Sequence, residues 1–293
     1  MLSAPPGSGK TTQVPLALLQ SETVNGRILL LQPRRVAARS VASWMAHLIG
    51  EPVGQRIGYQ VRHERKISAE THIEVLTEGL IMQRLLQDPE LSGVDVVILD
   101  EFHERSLLSD LTLMMLLEAR ILSREDLKIL IMSATLDIQS LAARFDAPII
   151  IAEGRSYPLK LSYIEHKLNY SQRLISQYLI DELNSFWLND ASLKTRGHCL
   201  VFLPGRREIE EVRKHILRTY PQCEVEVLYG SLPLHEQRNV LIPSQVAKVI
   251  LATNIAETSL TIDGVTHVID SGLYRTSRCD PKTGLNRLVT LPI

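Results

Sequence analysis

Ala4-Pro5-Pro6-Gly7-Ser8-Gly9-Lys10-Thr11-Thr12, followed by an apolar run over residues 14–19, is the stretch on which the rest of the chain turns. It reads as a loop that binds phosphate and opens a helix. Gly7 and Gly9 let the backbone curl so that successive N–H groups point at an anion, Ser8 lies between them, and the helix N-terminus adds a favourable dipole. Lys10 would reach the β- and γ-phosphates, and the Thr11 hydroxyl would hold Mg²⁺, with Thr12 beside it. The pattern G-x-x-x-x-G-K-[ST] has Gly where this chain has Ala4. Ala is the mildest replacement there, because the position needs a small side chain more than a positive φ. Standing alone, the stretch is also compatible with an ordinary Gly/Ser-rich loop.

The composition bounds the possibilities. With 293 residues, 45% hydrophobic and 22% charged, the chain is globular and long enough for two domains. Its formal net charge of −1 supplies no global basic field. Any nucleic-acid contact must therefore use a local groove and backbone amides. Cys199, Cys223 and Cys279 are far apart and in no metal-ligand spacing, which fits a reducing cytoplasm. The most apolar long segment, residues 107–122, is broken by Asp110, Glu118 and Arg120 and is too short to span a bilayer, so no membrane association is expected. Only Met1-Leu2-Ser3 precede the phosphate loop, and the chain is expected to begin inside its own first strand.

Residues 27–31 form a continuous apolar run, as in a strand buried on both faces of a parallel sheet. The run ends in Gln32-Pro33-Arg34-Arg35, and a helix is predicted over residues 36–48. Arginines at the carboxyl end of a parallel strand sit where open α/β sheets bind ligands, here a nucleic-acid backbone; a solvated helix start is the alternative. Strands are predicted over 57–61 and 72–76, the second running into Thr77-Glu78-Gly79 and a helix through residue 86. The buried strand 94–99 delivers Asp100-Glu101-Phe102-His103-Glu104-Arg105. Asp100 would hold Mg²⁺ through water, and Glu101 would orient and deprotonate an attacking water; an acidic helix cap is the competing reading. The next strand, 127–132, ends in Ser133-Ala134-Thr135, which alone would be a helix cap.

A boundary is expected within Ala152-Glu153-Gly154-Arg155-Ser156-Tyr157-Pro158, giving domains 1–152 and 153–293. In the second half, helices are predicted over 170–187, 208–219 and 234–241. Strands are predicted over 198–203, 224–228, 247–252 and 265–269, with a turn at residues 280–284. Alternation of strand and helix in both halves implies parallel, doubly wound sheets, an α/β class. Arg206 and Arg207 read equally as a polar helix start or a phosphodiester contact.

Taken together, these motifs resemble the DEAH-type superfamily 2 helicases. The resemblance rests on Gly7-Ser8-Gly9-Lys10-Thr11-Thr12-Gln13, Pro33-Arg34-Arg35-Val36-Ala37-Ala38, Thr77-Glu78-Gly79, Asp100-Glu101-Phe102-His103-Glu104-Arg105, Ser133-Ala134-Thr135, and Thr253-Asn254-Ile255-Ala256-Glu257-Thr258-Ser259-Leu260-Thr261-Ile262. Phe102 replaces the usual Ala, as in a bacterial branch of the family. The resemblance implies two RecA-like domains and an ATP-driven, Mg²⁺-dependent RNA helicase or translocase acting on single-stranded or partly duplex nucleic acid. By the same resemblance, His103 and Ser133, Ala134 and Thr135 couple nucleotide to strand. Arg34, Arg35, Thr77, Glu78, Gly79, Arg206, Thr253, Asn254 and Thr258 grip the strand, while Arg105 and Asp263 approach the nucleotide. Trp44 stands where the family places a base-holding Arg, and residues 238–243 offer no facing aromatic, so broad nucleoside triphosphate use is expected.

The resemblance also calls for a Gln-Arg-x-Gly-Arg-x-Gly-Arg segment after residue 293, with Arg275 and Arg278 as late arginines outside any such spacing. The chain therefore reads as a helicase core fragment. Two other functions compete: a nucleotide-gated clamp that binds nucleic acid without unwinding, and a P-loop metabolic kinase or transport ATPase. The second α/β half and the motif at 253–262 speak against the last.

Overall fold

The computed structural model describes residues 1–5, 7–134, 138–153, 158–163, 172–185, 197–233, 236–237, 240, 244, 246–257 and 262–293. It divides into two compact units, Met1–Leu159 and Lys160–Ile293.

The first unit is built on an eight-stranded sheet. Its strands are β1 (Leu2–Ser3), β2 (Arg27–Gln32), β3 (Ile57–Val61), β4 (Glu64–Lys66), β5 (Ile73–Thr77), β6 (Val94–Leu99), β7 (Lys128–Ser133) and β8 (Ile150–Ile151). The spatial order is β4-β3-β5-β2-β6-β7-β1-β8, and every pairing is parallel except the β3–β4 hairpin. Five helices are interleaved: α1 (Lys10–Leu19), α2 (Arg35–Leu48), α3 (Glu78–Gln87), α4 (Leu107–Leu122) and α5 (Ile138–Phe145).

The uninterrupted apolar run of β2 is explained by cover on both faces. Ile28 and Leu30 pack with Leu16 of α1 and Ala38, Ala42 and Met45 of α2. Leu29 and Leu31 pack instead with Ile81 and Leu85 of α3 and Leu113 and Leu116 of α4. Alternate residues of one strand thus feed two separate cores, as a period of two demands. Because the strands run parallel, the loops after β1, β2, β5, β6 and β7 all leave from one edge of the sheet. That edge is where an open α/β sheet binds its ligands.

The second unit repeats the plan on a smaller scale. Strands β9 (His198–Phe202), β10 (Glu224–Leu228), β11 (Lys248–Ala252) and β12 (Val265–Asp270) form a parallel sheet in the order β10-β11-β9-β12. Helices α6 (Gln172–Leu183) and α7 (Arg206–Thr219) cover one face through Leu179, Leu183, Ile209, Val212 and Ile216. An antiparallel hairpin, β13 (Leu273–Cys279) and β14 (Asn286–Pro292), follows. Its turn closes at Gly284, whose φ of +67° suits glycine and whose N–H donates to the Asp280 carbonyl at 2.8 Å.

Several boundaries differ from the sequence reading. Helix α2 begins at Arg35, and α7 begins at Arg206 rather than residue 208, because the extended residues Arg34 and Gly205 serve as N-caps. Strands β5 and β7 each shift by one residue. Hairpin strand β4, helix α5 and strand β8 were not anticipated. The first of these turns through His63 at φ +67°, with no Gly or Pro to announce it. Most of the helix expected at 234–241 lies outside the described residues, as do the ends of the one expected at 170–187. Among the described residues no helix is long and apolar enough to cross a membrane.

One buried charge tests this packing. Glu74 on β5 is fully buried and receives a two-pronged pair from Arg84 of α3, at 3.1 and 2.6 Å, with Arg27 of β2 at 3.9 Å. Replacing Arg84 by Met should cost about 2–4 kcal/mol, since it strands a buried carboxylate. The double replacement Glu74→Leu with Arg84→Met should recover most of that loss. Urea unfolding of the three variants beside the parent chain checks both outcomes, and an additive double variant would contradict them.

Candidate nucleotide site and strand-contact segments

The phosphate loop leaves β1 and closes on α1. Gly7 and Gly9 sit at φ +74° and +80°, the left-handed region that glycine alone enters without cost. Gly9 is the N-cap of α1, and the N–H groups of Thr12 and Gln13 both turn back to its carbonyl, at 3.0 and 2.8 Å. Ala4 is buried, is not among the residues with positive φ, and donates its N–H to the Ser133 carbonyl at 3.2 Å. The missing glycine therefore takes nothing from the loop's geometry. Pro6 lies outside the described residues.

Strand β6 delivers the acidic segment to the same place. Thr11 Oγ1 donates to Asp100 Oδ2 at 2.6 Å across 89 residues of sequence. Lys10 Nζ lies 3.8 Å from Glu101 Oε1, and His103 Nε2 lies 3.3 Å from Glu101 Oε2. Asp100 is held further by the Glu101 N–H, at 2.9 Å to Oδ1. The backbone reverses sharply here: Glu101 and Arg105 adopt φ of +51° and +49°, flanking a one-turn 3₁₀ helix at Phe102–Glu104. Two non-glycine residues in that region store strain, as often happens at functional sites. Burial pushes the Glu101 carboxyl above the usual carboxylate range, and Asp100 pushes the same way, while Lys10 and His103 pull it back down. The arrangement makes Glu101 a stronger base than an ordinary glutamate.

Thr11 and Asp100 present hard oxygen donors in contact with one another, a pair that fits a Mg²⁺ whose other ligands are phosphate oxygens and water.

The remaining expected residues fall into three groups. Ser133, fully buried at the end of β7, and the adjoining Ala134 meet the start of the phosphate loop through the Ala4–Ser133 bond. Arg34, N-cap of α2, lies 3.8 Å from Glu104 Oε2, and Arg35 is exposed in the helix's first turn. Thr77 ends β5 and caps α3, with Gly79 exposed two residues on.

A second group makes contacts of its own within the first unit. Glu78 was assigned to the strand, yet its carboxylate accepts from Ser106 Oγ at 2.6 Å. That serine in turn accepts from the Ser109 N–H as N-cap of α4. Burial raises the Glu78 pKa; the bond from Ser106 opposes this, and Glu104 and Asp110 reinforce it. An anion so placed serves the scaffold better than it would serve a polyphosphate. Arg105 was assigned to the nucleotide, but its described contacts are Asp110 at 3.0 Å and the Phe102 ring at 5.5 Å. Trp44 is 55% exposed on α2 and leans on the His47 ring at 5.5 Å.

The third group belongs to the second unit, described by itself. Arg206 and Arg207 open α7, and the Arg206 guanidinium lies over the Tyr229 ring at 5.5 Å. Thr253 and Asn254 follow β11, with Thr253 donating its N–H to the Leu228 carbonyl at 3.0 Å, and Asp263 is exposed. Arg275 reaches Glu208 Oε1 at 3.2 Å and so has a structural partner. Thr135 and Thr258 lie outside the described residues.

Sequence reasoning missed Gln32 and Ser106. Gln32 Nε2 donates to Asp100 Oδ2 at 2.7 Å from a position only 1% exposed. Its signal was available: a lone amide closing a run of apolar strand residues.

Known proteins match this chain along its whole length. Residues 1–143 match the model of the DEAD/DEAH box helicase family, and residues 176–282 match that of the helicase conserved C-terminal domain. The chain is 44% identical over 294 residues to the ATP-dependent RNA helicase HrpB of Escherichia coli strain K12, covering 99% of this chain and 35% of that protein. It is 36% identical to the ATP-dependent RNA helicase HrpA of Borreliella burgdorferi, covering 100% of this chain and 36% of that one. It is 37% identical to the pre-mRNA-splicing factor ATP-dependent RNA helicase prp22 of Schizosaccharomyces pombe, covering 98% and 25%. The crystal structure of the E. coli DEAH/RHA helicase HrpB superposes with a TM-score of 0.84 at 43% identity, covering 100% of this chain and 37% of that one. The chain thus spans about a third or less of the length of these relatives. Its two sheets are the RecA-like domains of that architecture.

Lys10→Ala should abolish tight triphosphate binding in calorimetry, because the lysine is the cation expected against the terminal phosphates, an interaction worth several kcal/mol in a desolvated site. Undiminished affinity would show that the loop does not hold phosphate.

Proposed function

The chain belongs to the DEAD/DEAH box helicase family, and on that premise we propose that it is the core of an ATP-dependent RNA helicase or translocase. One observation carries the reading: Lys10, Thr11, Asp100 and Glu101, drawn from segments about 90 residues apart, converge with Thr11 Oγ1 on Asp100 Oδ2 at 2.6 Å and Lys10 Nζ 3.8 Å from Glu101 Oε1. The loop amides and Lys10 would bind the polyphosphate, with Thr11 and Asp100 holding Mg²⁺. A metal held there would supply positive charge against the phosphates. Glu101 orients the attacking water and takes its proton.

The Lys10–Glu101 pair adds a consequence. A γ-phosphate draws Lys10 to itself and so removes one of the charges that lower the Glu101 pKa.

The strand side is supported by charge placement. Arg34 and Arg35 stand at the N-terminus of α2, and Arg206 and Arg207 at that of α7. Cations at a helix N-terminus oppose the dipole by a few tenths of a kcal/mol each. A bound anionic backbone would offset that cost. Single-stranded or partly duplex RNA is the proposed partner, and the exposed Trp44 supports broad use of nucleoside triphosphates. The free, buried thiols of Cys199 and Cys223 favour a cytoplasmic setting.

ATPase assays with and without single-stranded RNA test the reading. RNA-stimulated turnover is expected; strand binding without turnover would indicate a clamp, and RNA-indifferent turnover a different class of P-loop enzyme. Glu101→Gln should retain ATP and lose turnover by about 10²-fold or more. Because the acid form of Glu101 accepts no proton, single-turnover hydrolysis should fall as pH drops through its raised pKa, earlier than for an ordinary glutamate at about 4.3. Arg34→Ala and Arg35→Ala should weaken RNA binding evenly across sequences and flatten its salt dependence, since phosphate contacts carry no base information.

A further inference from the structure

We propose that Gln32 is a positioning residue that couples the strand-contact segment Pro33-Arg34-Arg35 to the metal-holding carboxylate of Asp100; this rests on the helicase reading above. Gln32 is the last residue of β2 and 1% exposed, behind four apolar residues. A polar amide in that place needs a specific partner to offset its burial. Its partner is Asp100: Nε2 donates to Oδ2 at 2.7 Å, the same oxygen that receives Thr11 Oγ1 at 2.6 Å. The backbone reinforces the link, since the Asp100 N–H donates to the Leu31 carbonyl at 3.3 Å.

Two residues beyond Gln32, Arg34 lies 3.8 Å from Glu104. The turn after β2 and the acidic segment after β6 are therefore tied at two points, one on Asp100 and one on Arg34. The outer tie is exchangeable, because a strand phosphate competes with Glu104 for the Arg34 guanidinium. The inner tie is buried and stays. Among the described residues Gln32 Oε1 is buried with no hydrogen-bond partner, so there the amide is fastened on the Asp100 side and otherwise follows its own backbone. A strand that takes hold of Arg34 and Arg35 shifts that backbone, and Gln32 carries the shift to Asp100 Oδ2, beside Thr11. By linkage, metal-nucleotide binding must then tighten strand binding by the same factor.

The test measures the affinity of the chain for a fluorescent non-hydrolysable ATP analogue in EDTA and across a Mg²⁺ titration, with and without a single-stranded oligouridine. Gln32→Leu keeps the volume and removes the donor; Gln32→Met, unbranched, serves if the leucine variant does not fold. We expect unchanged affinity in EDTA, a Mg²⁺ midpoint raised about tenfold, as for loss of a hydrogen bond to a charged group, and a much reduced strand effect on that midpoint. An unmoved midpoint overturns the proposal. So does an equal loss of affinity in EDTA, which marks a merely structural role, or a moved midpoint with an undiminished strand effect. A parent chain that binds no metal-nucleotide at all would overturn the functional reading first, and this one with it.

Discussion

The Asp100 carboxylate is the constraint on which the first unit depends. It is buried to 5% exposure, where a charge without partners would be untenable. Three donors meet it: the Thr11 hydroxyl, the Gln32 amide and the Glu101 N–H. They arrive from the helix after β1, the end of β2 and the segment after β6, which the register places at one sheet edge. Charge-assisted bonds are short and directional, so three of them fix an orientation as well as an energy. The sheet order is thus what makes the carboxylate affordable, and the carboxylate rewards only that order.

Much of this was readable in the sequence, for physical reasons that differ by element. Residues 28–31 announced a strand covered on both faces because parallel strands have no wet side, and Ile28 with Leu30, and Leu29 with Leu31, do pack into separate cores. The phosphate loop was legible because glycines at φ +74° and +80° are a backbone requirement, and few other residues meet it. The hairpin over β3 and β4 was not legible. Its stability comes from Tyr59, Glu64 and the buried Arg39, where Tyr59 Oη bonds Glu64 and Arg39 pairs with the same carboxylate. No local pattern encodes a three-residue cluster drawn from two strands and a helix.

The site shows the same division. Residue types that chemistry demands at fixed spacing, Lys10 and Thr11 or Asp100 and Glu101, were legible because the spacing is local. What they touch was less so, since contacts belong to the assembled edge. Glu78 illustrates the limit. Its neighbours Thr77 and Gly79 invite a reading as one strand-contact unit, yet the Glu78 carboxylate is turned to Ser106, and through it to the start of α4. Arg105 is similar: a cation beside two carboxylates looks like a phosphate ligand, but Asp110 stands five residues on and within 3.0 Å.

These contacts share a direction. Glu78 to Ser106, Arg34 to Glu104 and Gln32 to Asp100 all join a segment expected at the strand to the loop of residues 100–106. That loop is also where the backbone is strained, at Glu101 and Arg105, and where, among the described residues, buried polar atoms of His103 and Glu104 lack a hydrogen-bond partner. A segment that is tied on several sides, strained and incompletely paired has more than one arrangement within reach, because each rearrangement exchanges one imperfect contact for another. Lying between the carboxylate proposed to hold the metal and the turns proposed to contact the strand, it would let occupancy on either side bias the same few residues. Coupling in this unit then needs no long path: the two ligands would share a loop of seven residues, and the hydrogen bonds that hold it are the ones that a sequence could not display.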